Sequence, residues 1–241
     1  MNKLSLAKVL CACIVLSLAG CGTRYTAFQQ AADSAAVAWQ PAGERIRSVF
    51  ADQLDPANPL PEYPRPQMQR EDWLNLNGEW QYAICDYQMD DSVVAPATWD
   101  GFILVPFAIE SSLSGVGKTL TTNQELWYNR TITLPRAWRK QHVMLNFGAV
   151  DWHAWVYVNG QLAGEHIGGY APFSVDITPY LTKHGEQTIQ VRVYDSSDTG
   201  YQPCGKQTAN PRSIWYTAVT GIWQTVWLEP VAEQQIASVV A

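Results

Sequence analysis

Basic residues are scarce in this chain. Lys and Arg number 16 against 22 Asp and Glu in 241 residues, a formal net charge of −6, and no basic cluster stands out. A nucleic-acid partner needs a positive footprint to neutralise phosphates, so that class is excluded. Cysteine is sparse too: Cys11, Cys13 and Cys21 lie at the start, leaving Cys85 and Cys204. No CxxC or HxxxH spacing occurs, and His142, His153, His166 and His184 are scattered, so no metal ligand set is read from the sequence. Asp86, Asp90 and Asp91 lack the spacing of a known calcium loop and read as a solvated turn. There is no GxSxG elbow, no phosphate-cradling glycine loop, no internal repeat and no low-complexity tract. No cofactor is expected.

Long apolar runs are also missing. The longest near the start, Val9–Leu18, is short for a bilayer span. With Lys3 and Lys8 before it and Leu18-Ala19-Gly20-Cys21 after it, residues 1–20 read as a signal peptide. Leu-Ala-Gly-Cys resembles the bacterial lipobox, which implies cleavage before Cys21 and lipidation of that residue. The expected location is the cell envelope, with the membrane as a partner through the lipid anchor; Gly22 after the cysteine favours outer-membrane delivery. Residues 21–62 then read as a tether, because Pro56, Pro59, Pro61, Pro64 and Pro66 favour extended chain.

What the chain does have is aromatic residues, 11 Trp and 11 Tyr among them, and short strand-like runs separated by turn signals. Val143–Val150 and Trp155–Val158 precede Asn159-Gly160, a dipeptide suited to a type I′ hairpin turn. Ile189, Val191 and Val193 alternate with Gln190, Arg192 and Tyr194, while Ile222–Leu228 is apolar on both faces. This punctuation predicts an all-β sandwich.

FGAVDWHAWVYVNG followed by GGYAPFSVDIT, together with WLNLNGEWQYA, ILVPFAIESSLSGVG and IWYTAVTGIWQTVWLEPV, resembles glycoside hydrolase family 2. The similar part of that family is the N-terminal sugar-binding domain of its β-galactosidase, β-glucuronidase and β-mannosidase members. The resemblance implies a jelly-roll β-sandwich at residues 63–230. It also implies an immunoglobulin-like domain and a catalytic barrel downstream, of which residues 231–241 resemble only a first strand. The expectation is therefore a truncated lipoprotein.

Two long connections carry the candidate site. Ala108–Glu125 includes Asn123 and Gln124; Ser196–Gly221 presents Lys206, Gln207, Asn210, Trp215 and Tyr216. Amide and ammonium groups grip sugar hydroxyls, and flat aromatic faces stack on sugar rings. A loop packed on a neighbouring domain, anchored by Trp215, explains the same residues equally well. Hydrolysis of a glycoside needs two carboxylates flanking the scissile bond. The resemblance places them in the barrel, in an Asn-Glu setting absent here; Glu110 reads as scaffold and Asp151 as a turn cap. Two functions stay open: the carbohydrate-binding accessory domain of a family 2 glycosidase, inactive alone, or a stand-alone lectin-like surface lipoprotein. Either has a carbohydrate, a β-galactoside or a related glycan, as partner.

Overall fold

The structure is a computed structural model that describes residues 39–44, 46–90, 93–237 and 239. The stretch read as a signal peptide, and Cys21, lie outside the described residues.

Strands number fourteen among these residues and are labelled in chain order. The larger sheet runs β3 (Gly101–Val105), β2 (Gly78–Asp86), β4 (Gln124–Ile132), β10 (Gln187–Tyr194), β7 (His153–Val158), β8 (Gln161–Ile167). The smaller runs β1 (Leu74–Asn75), β14 (Val226–Val231), β5 (His142–Phe147), β9 (Phe173–Asp176). Two short pairs complete the set: β6 (Val150–Asp151) with β13 (Gly221–Ile222), and β11 (Gln207–Thr208) with β12 (Tyr216–Thr217).

The period of two that marks the strands also builds the core. Trp80, Leu126, Tyr128, Val156, Ile189, Val191 and Val193 face inward from the larger sheet; Val143, Leu145, Phe147, Val175, Val226 and Leu228 meet them from the smaller. The all-β sandwich expected from the sequence is what the chain forms. At the predicted hairpin Asn159 has φ 50° and Gly160 φ 77°, the left-handed region a type I′ turn requires. Its second strand, β8, carries no apolar run because it is an exposed sheet edge.

Both outer faces are covered as well, which is why β14 is buried along its whole length. Ala83, Trp127, Trp155 and Tyr157 form a second apolar cluster outside the larger sheet, against Val93, Ala95 and Trp99. Arg192 and Glu125, each 1% exposed, pair there at 2.7 Å, and the guanidinium lies 4.5 Å from the Trp155 ring. Outside the smaller sheet, Glu229 accepts from Tyr63 at 2.8 Å and pairs with Arg65, whose guanidinium rests over Trp227.

The proline-rich stretch is held to this body rather than hanging free of it. Asn77 Nδ2 donates to the Pro59 carbonyl at 3.1 Å, Asn75 Nδ2 to that of Leu60 at 3.1 Å, and Ala42 N to that of Ser112 at 2.8 Å. At the far end Arg70 Nη2 donates to Gln235 Oε1 at 2.9 Å. Cys85 and Cys204 are both free thiols.

Candidate carbohydrate site at the loop end of the sandwich

Register brings the ends of five strands to one end of the larger sheet. Asp86 pairs with Gln124, Glu125 with Tyr194, Tyr194 with His153, and His153 with Ile167. The long connection 195–220 starts and finishes at this end, between β10 and β13.

That connection is fixed from beneath by buried polar groups. Gln207 Nε2 donates to Asp151 Oδ2 at 2.9 Å and to the Tyr170 hydroxyl at 3.2 Å, while its Oε1 accepts from Val219 N at 2.7 Å. Thr220 N donates to Glu110 Oε2 at 2.9 Å, and its hydroxyl to Asp195 Oδ2 at 2.7 Å. Asp195 Oδ1 also accepts from Ser197 N at 2.6 Å. Buried polar groups must find partners, and here the partners are parts of the loop itself.

Burial pushes the carboxyl of Asp151 up to about 7; the Asp195 charge adds to this and the Gln207 bond opposes it. Glu110 is pushed up to about 7 for the same principal reason, against the bond from Thr220 N. Asp151 therefore does not cap a turn, as the sequence suggested. It lies in β6 and anchors the loop 195–220 through Gln207. Glu110 is scaffold, as read.

Above this base lies an exposed aromatic surface. Trp215 is 45% exposed, Tyr216 64% and Tyr170 54%. Pairing of β11 with β12 sets Gln207 beside Tyr216, and Lys206 Nζ sits 5.9 Å from the centre of the Tyr216 ring. Tyr170 meets the half-buried Trp223 edge to face at 6.3 Å, and Trp223 Nε1 donates to the Gly169 carbonyl at 2.8 Å. Lys206, Gln207 and Tyr216 thus come together as the sequence proposed, but Gln207 is the buried support and not an exposed contact. Asn210 is exposed on the same loop.

Asn123 and Gln124 belong elsewhere on this end. Gln124 Oε1 accepts from Thr121 N at 3.0 Å and closes its own turn; the Asn123 carbonyl accepts from Tyr87 N at 2.8 Å. Among the described residues no hydrogen bond joins either to residues 206–216. Sequence reasoning missed Tyr170, which follows the Gly168-Gly169 turn and lies in no alternating pattern. Only the fold brings it to Gln207.

The chain matches the model of the "Glycosyl hydrolases family 2, sugar binding domain" over residues 75–229. It belongs to glycosyl hydrolase family 2. Among curated relatives, a beta-galactosidase of Thermoanaerobacter pseudethanolicus is 34% identical over 172 residues, covering 70% of this chain and 22% of the relative. A putative beta-glucuronidase of Formosa agariphila is 28% identical over 165 residues, covering 68% and 19%. The chain thus spans about a fifth of their length. A beta-glucuronidase of Faecalibacterium prausnitzii shares the fold, with a TM-score of 0.51 at 24% identity over 71% of this chain and 33% of that one.

Several carboxylates near this end of the family 2 domain are committed to structure. Glu110, Asp151 and Asp195 are buried under the loop, Glu125 is paired with Arg192, and Glu165 Oε1 bonds His153 Nε2 at 2.6 Å. Exposed on this surface are the Trp215, Tyr216 and Tyr170 rings, Lys206 and Asn210, while the exposed Asp198 accepts from the Thr208 hydroxyl and Ala209 N; flat aromatic faces beside an ammonium and an amide are chemistry for binding a sugar.

Proposed function

We propose that this domain binds carbohydrate at the aromatic surface of the loop 195–220, as an accessory domain of a family 2 glycosidase whose catalytic groups lie outside it. The observation that carries the reading is Trp215 and Tyr216, held in the open over a hydrogen-bonded buried base. An aromatic face that is fixed in advance loses little freedom when a sugar stacks on it. A β-galactoside or related glycan is the ligand class, supported by relatives that are a beta-galactosidase and a putative beta-glucuronidase. Cys21 lipidation and an envelope location belong to the same reading and rest on Leu18-Ala19-Gly20-Cys21.

Isothermal titration of the full chain with neutral galactosides tests the site. Trp215→Ala is expected to weaken binding by about tenfold, the worth of one stacking contact of about 1.4 kcal/mol, with the unfolding midpoint unchanged. No heat with any of these sugars on the unsubstituted protein refutes it in favour of a surface that packs on a neighbouring domain. Cys21→Ser is expected to abolish lipid-dependent membrane fractionation; unchanged mass and partitioning sink the anchor.

A further inference from the structure

A cavity of about 580 Å³ opens at the opposite end of the sandwich from the aromatic loop. Its walls are residues 133–136, 138 and 139 after β4, the start of β5, and residues 181–185 with Gln187 before and at the start of β10. Ile132 pairs with Gln187 at this end, whereas Glu125 pairs with Tyr194 at the other. At roughly 3.3 Å per residue the two ends are about 23 Å apart, so this is a separate place on the molecule.

Charge sets the cavity apart from the rest of an acidic chain. Arg136, Arg139 and Lys183 line it with His184, and no Asp or Glu is among the lining residues. Of the carboxylates nearby, Asp176 is engaged by the Thr178 hydroxyl and by His142, and Glu186 is exposed beside Gly185. The floor is apolar: Trp138 and Val143 are buried, Leu134 and Leu181 partly so.

The far wall is set in advance. Gln187 Oε1 accepts from Thr182 N and from Asn159 Nδ2, both at 2.8 Å. Gln187 Nε2 donates to Thr182 Oγ1 at 2.7 Å and to the Gly185 carbonyl at 3.2 Å. A pre-formed pocket of this volume suits a small molecule and is larger than one inorganic anion requires. A lining that combines apolar side chains with two guanidinium groups matches a ring with a C–H face and a carboxylate or sulfate substituent.

We propose that this cavity is a second carbohydrate site, selective for saccharides that bear a carboxylate or a sulfate. The choice of a sugar rests on the carbohydrate-binding reading above; the sign of its charge rests on the cavity alone.

The test titrates the full chain at low salt with trigalacturonate, a 6-sulfated chondroitin disaccharide, lactose, inorganic sulfate and phosphatidylglycerol vesicles. One or both acidic sugars are expected to bind, more weakly as salt screens the attraction. Arg136→Gln with Arg139→Gln is expected to cost about tenfold or more in affinity, since each charge-assisted bond is strong. Both side chains are exposed, so the fold should survive; an unchanged unfolding midpoint checks this. Trp215→Ala should leave the acidic sugars untouched, which separates this site from the aromatic loop whether or not neutral sugars bind there. The inference is overturned by acidic sugars that do not bind, or by sulfate alone matching them. Binding that follows Trp215 instead of the arginines also overturns it, as does capture of vesicles without either sugar.

Discussion

Replacing Gln207 by alanine tests whether that residue supports the loop or contacts the ligand. Its side chain makes three hydrogen bonds: to Asp151 Oδ2, to the Tyr170 hydroxyl and from Val219 N. Alanine leaves the buried Asp151 oxygen and the part-buried Val219 amide without these partners. At about 1–3 kcal/mol for each unsatisfied group, the loss is roughly 2–6 kcal/mol. That is a large part of the roughly 5–15 kcal/mol typical of a domain. The loss also depends on pH. The Asp151 carboxyl is already pushed up to about 7, so the folded state holds its proton more tightly than the unfolded state does. Stability therefore falls as pH rises from about 4 towards 7. The Gln207 bond opposes this shift, so its removal raises the folded value further and costs more at pH 8 than at pH 5. Urea unfolding of both proteins at the two pH values measures it. A loss under about 0.5 kcal/mol at both, or a larger loss at pH 5, refutes the reasoning. A weakened galactoside affinity with stability intact would make Gln207 a direct contact.

Arg192→Ala strands the carboxylate of Glu125 in the outer cluster and is expected to cost about 3–5 kcal/mol, whereas Arg192→Met with Glu125→Leu should cost much less, because both charges leave together. Equal losses for the single and double variants in urea unfolding would contradict this. Gly221→Ala meets two obstacles, a φ of +92° and the buried Tyr128 hydroxyl where a Cβ would stand. It should lower the melting temperature by about 4 °C or more, the equivalent of at least about 1–2 kcal/mol in a domain of this size; an unchanged value would show that the β13 backbone can move aside.

Strand identity was legible where burial is periodic: alternation along β10 is imposed by which face the sandwich covers, whereas Ile222–Leu228, read as one strand, is divided between β13 and β14. Asn159-Gly160 was legible because few residues accept a left-handed turn. The family was legible in contiguous motifs, and those motifs carry the fold with them. Side-chain roles at the loop end were not legible, since they depend on which groups meet across chain separations that no local pattern encodes. Gln207 has the composition of a sugar contact, yet β11–β12 pairing turns it inward onto Asp151, while Tyr170 arrives from a different turn. The cationic cavity shows the same limit. Arg136 and Arg139 are close in sequence, but Lys183 joins them only because Ile132 and Gln187 are paired neighbours at one end of the sheet.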